Sequence, residues 1–165
     1  MRKVLYANAL CLATTLLAGC VGGPKPVEVG DIIPRVYTLP TIKKSPLHAG
    51  VYFSPQFAAA EHHRHMGPDT YVLPIGKASV YLFDHAFRSA FSRTSRVFDV
   101  TPEALVAQGV DVAIAPTLVY FNIRHGFDGD GPSRRWSVAY RLTLYSRTGV
   151  PVASWIVTEI GRAHV

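Results

Sequence analysis

Thiols are nearly missing from this chain: its 165 residues hold two cysteines, Cys11 and Cys20. That excludes a disulfide-dense scaffold, and without a CxxC pair there is no zinc-ribbon or thioredoxin-like centre to consider. The phosphate and dinucleotide fingerprints GxxxxGK[ST] and GxGxxG are absent, and so is HExxH. Charge is sparse at 17%, and the basic residues are scattered without a long Lys/Arg run. The net charge of +6 therefore gives nucleic-acid binding no support beyond its sign. What the chain has in quantity is apolar surface, with 48% hydrophobic and 11% aromatic residues. That is enough for the core of one domain and too much for global disorder.

The first twenty residues read as an address. Met1-Arg2-Lys3 gives a short positive start, and Val4 to Ala18 follows without a charge. A basic n-region, an apolar h-region and small residues before a cut are the marks of an export signal. The stretch ends Leu17-Ala18-Gly19-Cys20, which resembles the lipobox of bacterial lipoproteins. That resemblance implies a diacylglycerol thioether on Cys20, removal of residues 1–19 as a signal peptide, and acylation of the new amino end, commonly by palmitate. One acyl chain binds a membrane only marginally, whereas two or three hold a soluble domain there. Val21 and Gly22 follow, and the Asp that retains enterobacterial lipoproteins on the inner membrane is missing. The resemblance thus implies an outer-membrane anchor with the domain facing the periplasm.

Cleavage would remove Cys11 and put lipid on Cys20, so the mature domain would have no free thiol and no cysteine catalysis. It would also remove Arg2 and Lys3, leaving 15 basic against 11 acidic residues. Residues 20–46 are the lipidated end and a tether, with prolines at 24, 26, 34, 40 and 46 that discourage helix. Within them Val36-Tyr37-Thr38-Leu39 could pair briefly as a strand.

Residues 47–165 are expected to form a single domain. Gly50 to Phe53 reads as a strand stopped at Ser54-Pro55, and Phe57 to Met66 is ambiguous between a helical turn and extended chain. The clearest helix runs from about Ala78 to Thr94, where Val80, Phe83, Phe87 and Phe91 recur at helical spacing. Thr101-Pro102-Glu103 opens a short helix that ends by Gly109. Three strand-like runs follow, at 110–123, 135–145 and 152–160, joined by turns at Asp128–Gly131 and Ser146–Gly149. Pro116 marks an edge position or a bulge in the first of them. The expectation is α+β: an antiparallel sheet of about four to five strands, with one long and one short helix packed on one face.

The candidate chemistry is thin. Glu61-His62-His63-Arg64-His65 is the densest cluster, and His62, His63 and His65 are the candidate metal ligands. Zn²⁺ needs three or four convergent ligands. In a helix His62 and His65 would face alike, and in an extended stretch His63 and His65 would. Arg64 would repel a cation, so a solvated polar segment meeting anionic groups at low pH is the plainer reading. Asp128-Gly129-Asp130-Gly131 is similar to the start of a calcium loop, but the twelfth position is Ala139 where a bidentate Glu is needed. A hairpin turn is expected there instead. No serine lies in a GxSxG context, and Glu61, Glu103 and Glu159 mark no paired-carboxylate cleft. An enzyme is not expected, and neither is a cofactor.

Both faces of the 110–123 run are apolar, so one needs cover beyond the helices, which hints at a protein interface. With the export signal, this resembles the small α+β lipoproteins that serve envelope transport or assembly machines. The expected function is non-catalytic: a lipid-anchored accessory protein that binds another envelope protein, with self-association as a further option. The alternatives are a module for an anionic lipid or glycan, which needs a pocket lined by Arg or Lys, and a metal-dependent hydrolase built on the histidines.

Overall fold

The computed structural model describes residues 26–28, 43–128 and 131–164. The export signal, Cys20 and the Val36–Leu39 stretch lie outside the described residues. In chain order the elements are β1 (Val27–Glu28), β2 (Ser45–Tyr52), α1 (Pro55–Ala58), β3 (His62–Met66), β4 (Asp69–Leu73), α2 (Ile75–Ala90), β5 (Phe91–Val97), α3 (Pro102–Ala107), β6 (Val112–Asp128), β7 (Gly131–Ser146) and β8 (Pro151–His164). They make a five-stranded sheet in the order β5-β2-β6-β7-β8 and a three-stranded sheet in the order β1-β4-β3. The class is α+β, as the sequence implies.

The large sheet is mixed where the pattern suggested an antiparallel one. β2 pairs in parallel with both β5 and β6, whereas β6, β7 and β8 are antiparallel neighbours. Helical crossovers cause this, because a strand reached through a helix usually returns in the same direction. The same connections govern the helices. From β2 the chain crosses to β5 through α2, then crosses back over β2 to β6 through α3. Right-handed crossovers that step first to one side and then to the other place their helices on opposite faces. Accordingly Phe83 and Phe87 of α2 pack with Val51, Ile114, Val138, Tyr140 and Leu142, while Leu105 of α3 packs with Val97, Val110 and Ala113. Ala113 and Ile114 are consecutive in a strand, so the two clusters lie on the two faces. The short helix is therefore not beside the long one.

Sequence also ran the long helix too far. It stops at Ala90, and Phe91 already has extended geometry, with φ −119° and ψ 148°. Its N–H still donates to the Phe87 carbonyl, and its ring still packs on the α2 cluster. Phe91 thus completes the helical stripe while being the first residue of a strand. The alternation of Ser, Arg and Thr after it is the signal that favours extension.

A second difference lies in β6. Leu118 pairs with Tyr140 and Phe121 with Val138, with a register shift between Leu118 and Tyr120. Leu118 and Phe121 therefore share the helix-covered face, although strict alternation puts them on opposite ones. Pro116 is tolerated because the register between β2 and β6 ends at Ile114, which leaves that part of β6 without a strand on one side among the described residues.

Two polar devices join the layers. Ser79, buried in α2, donates its hydroxyl proton to the Ile75 carbonyl at 2.7 Å and accepts from the Tyr140 hydroxyl at 2.8 Å. Burial, and less strongly the nearby Glu159 carboxylate, push the Tyr140 phenol up from its ordinary value. His48 is buried on β2, with Nδ1 2.9 Å from the Gly109 carbonyl and Nε2 2.8 Å from Ser95 Oγ. A carbonyl only accepts, so Nδ1 carries a proton and donates it to Gly109. His48→Ala is expected to destabilise the protein by about 1–3 kcal/mol, because Ser95 and Gly109 lose a buried partner. Urea unfolding of the variant measures this.

The start of α2 abuts α1. A Cβ on Gly76 would lie 2.3 Å from the Phe57 carbonyl oxygen and 2.5 Å from that of Ala58, so only glycine fits there.

Candidate functional site

The site builds from the last strand. In β8, Ala153, Trp155 and Val157 pair with Leu144, Leu142 and Tyr140, which places them on the face that α2 covers elsewhere. Ser154, Ile156 and Thr158 pair with Thr143, Arg141 and Ala139 on the other face. Every residue from Pro151 to Ile160 is exposed, including Val152 at 57%, Ile156 at 55% and Trp155 at 41%. β8 is also the last strand of the sheet order, so its outer rim of N–H and C=O groups has no strand partner among the described residues. The strand is apolar on both faces and open along one edge.

The opposite edge shows the contrast. β5 reads Phe-Ser-Arg-Thr-Ser-Arg-Val and presents Arg93 and Arg96 outward. Arg96 reaches Asp84 at 2.8 Å and lies 5.2 Å from the centroid of the Phe53 ring. Charge of this kind keeps an edge from pairing with other chains. From Pro151 to Ile160, β8 carries a single charge, Glu159, and its only proline is at the start. One edge is guarded and the other is a template.

Beside β8 lies an open groove of about 330 Å³, lined by Leu82 and Phe83 of α2, Tyr140 of β7, and Val157, Thr158 and Glu159. Tyr81, half-exposed on α2, and the exposed Tyr120 and Trp136 extend the apolar surface of the protein. Large exposed apolar side chains gathered along one strand are the usual mark of a binding site rather than of a solvated wall. The lining holds no Arg or Lys.

The histidines go elsewhere. β3 is extended, so His63 and His65 fall on one side and His62 and Arg64 on the other. His63 Nε2 lies 3.2 Å from Glu61 Oε2, and His65 Nδ1 lies 3.0 Å from Thr70 Oγ1. The His62 and Phe121 rings meet edge to face, with centroids 5.0 Å apart. Among the described residues no three His, Cys, Asp or Glu side chains are grouped so as to hold a metal ion. The structure does not bring His62, His63 and His65 together.

Burial, and then the nearby charges of Arg64 and His63, hold the His62 imidazole below its ordinary pKa of 6.5. The folded state thus disfavours the charged ring. The stability tied to neutral His62 is complete above the unfolded value and is lost as pH falls below it, where the unfolded chain binds the proton more readily. Urea midpoints of the wild type should fall as pH drops from roughly 7 to 5, and His62→Phe, which keeps the ring contact, should reduce that slope.

Asp128 pairs with Gly131 as the last pair between β6 and β7, which fits the expected hairpin; residues 129–130 lie outside the described residues. His48 was not singled out from sequence. A histidine alternating with apolar residues in Leu47-His48-Ala49-Gly50-Val51 was the available signal.

No family model matches this chain, and no curated protein matches it. Among solved structures, a crystal structure of a DUF330-family protein from Xanthomonas campestris is similar over 79% of this chain and 75% of that one. The identity is 11% and the TM-score 0.48. No helix among the described residues is long and apolar enough to cross a membrane.

Proposed function

We propose that this protein is a lipid-anchored accessory component of a bacterial envelope transport or assembly machine, and that it acts by binding another envelope protein through β8. The observation that carries the reading is the open, apolar, nearly uncharged edge of β8 beside the groove under α2. An incoming strand would satisfy the free backbone groups of the edge, while side chains on alternate faces would read the partner. Trp155 and Ile156 are the anchors to expect, since large apolar side chains near the centre of an interface carry most of its energy. The groove lining is apolar with a single carboxylate, which suits a protein segment better than an anionic headgroup or glycan. Anchorage is assigned to acyl chains on Cys20 at the outer membrane, with the domain in the periplasm. No residue is assigned a catalytic role.

The test is co-purification of the full lipidated protein from its own envelope in mild detergent. The wild type should bring down a stoichiometric envelope protein, and Val152→Lys/Ile156→Lys should lose at least about 90% of it, because two desolvated charges at an interface cost several kcal/mol. Both side chains are exposed, so the variant should keep the wild-type melting temperature within a few degrees. Recovery of the same partner by the double variant would rule out β8 as the contact.

A further inference from the structure

The sheet face opposite α2 is covered by α3 only near Ala113, where Leu105 packs with Val97 and Val110. β6 then runs on from Ile114, where its pairing with β2 ends, to Arg124, about 33 Å further along the strand. Past the bulge, Tyr120, Asn122 and Arg124 lie on this face, and all three are exposed.

Here the register sets like charges side by side. Arg124 pairs with Arg135 on β7, and the register continues from Arg135 to Arg162 on β8. Residues directly opposite in an antiparallel pair have Cα atoms only about 5 Å apart. Like charges in that position destabilise a sheet. Arg124 and Arg135 are exposed, and neither makes a hydrogen bond or ion pair among the described residues. The next row on this face is Asn122, Ser137 and Ile160, which brings no carboxylate. Glu159 pairs with Val138 and so belongs to the other face. The nearest acidic position along β6 is Asp128, about 13 Å beyond Arg124. On β5, by contrast, Arg96 is held by Asp84 at 2.8 Å. The Arg124–Arg135 pair costs the fold something and is not repaid within it.

Apolar side chains accompany the pair. Ile160 is 64% exposed in the adjoining row, and Trp136 is exposed at the same end of the ribbon on its other face. Guanidinium groups take phosphate oxygens two at a time. Tryptophan and branched apolar side chains settle where headgroups meet acyl chains. An acidic protein segment lying on the arginines would leave Trp136 unused on the far side of the strand. A bilayer surface engages both faces of the ribbon end at once.

We propose that the Arg124–Arg135 row binds the phosphates of anionic phospholipids at a bilayer surface, with Ile160 and Trp136 entering the headgroup region beside it. The contact is confined to this end of the ribbon. Ile156 lies about 13 Å back along β8 and stays free for a protein partner. That the chain meets a membrane rests on the anchor reading above; the site itself does not depend on β8 as the protein contact.

The test places a fluorescent coumarin amino acid at Asn122, or at the exposed Arg147 in the β7–β8 turn, in the full lipidated protein. Vesicles would be phosphatidylcholine alone or with about one third phosphatidylglycerol, both carrying a nitroxide on the choline headgroup. Quenching at position 122 should rise at least about threefold with phosphatidylglycerol, and quenching at 147 should change little. The rise should vanish at high salt and in Arg124→Gln/Arg135→Gln. That variant should melt no lower than wild type, because it removes opposed like charges. Equal quenching at 122 in the two vesicles, or a rise that survives the double variant, would overturn the proposal. So would a double variant that loses a co-purifying envelope protein while the wild type shows no phosphatidylglycerol effect, since the row would then be a protein contact. A chain that does not float with phosphatidylcholine vesicles would overturn the anchor reading alone. Flotation with phosphatidylglycerol vesicles, lost in the double variant, would then still support the site, and its absence would end it.

Discussion

Phe83→Ala is expected to cost this protein about 3–5 kcal/mol, the range for emptying a large aromatic site in a packed core. Phe83 sits where the layers meet: its ring lies 4.9 Å from that of Tyr140 in an edge-on arrangement, 5.6 Å from Phe87 and 6.1 Å from Phe57. Removing it takes away three aromatic contacts, each worth about 0.5–1.5 kcal/mol beyond simple burial. It also leaves a cavity that α2, β7 and α1 cannot all collapse to fill. Thermal unfolding should show a loss of roughly 10–20 °C. Tyr81→Ala, two residues earlier on the same helix and 51% exposed, should stay within about 0.5 kcal/mol of wild type. A cost below about 1 kcal/mol at Phe83 would mean that α2 does not lie on β7 as described.

Cys20→Ala should have the largest effect on location. The Leu17–Cys20 box is the expected acylation site, and without its thiol neither the thioether nor the signal cleavage that follows it can occur. Each buried methylene contributes about 0.8 kcal/mol to membrane binding, so losing two or three acyl chains removes the anchor altogether. The variant should accumulate as the longer, unprocessed precursor, incorporate no labelled palmitate, and appear largely in the soluble fraction after alkaline extraction. Normal processing with tight membrane retention would sink the lipoprotein reading.

How much of this was legible beforehand depended on whether a residue's role was local. The helix around Phe83 and Phe87, the short helix opened by Thr101-Pro102, and the run of strands ending near Ile160 follow from periodicity and turn chemistry, which are local. The parallel placement of β2 was not legible, because it depends on where two crossovers land. Phe91 was misread since its ring satisfies the helix stripe and the strand start alike. That Leu118 and Phe121 share a face was not legible, because a bulge adds a residue that alternation cannot register.

The candidate site divides in the same way. The apolar excess in the strand runs was visible in the sequence, but which strand would lie at the open edge was not, since strand order is a property of the whole sheet. β8 carries its signature only in comparison with β5, where Arg93 and Arg96 guard the other rim. The histidine segment was conspicuous by composition, yet pairing with β4 splits it across two faces. His48, one of the scattered histidines, became the buried polar joint between β2, β5 and the turn that precedes β6.

The central claim is that β8 is where an envelope partner binds. The most direct measurement is in vivo crosslinking with benzoylphenylalanine placed at Ile156 of the full lipidated protein, compared with the same probe at Arg93 on the opposite edge. The account predicts a discrete adduct with a second envelope protein from position 156 and none from position 93. No adduct at 156, equal adducts at both positions, or an adduct only with another copy of this chain would contradict it.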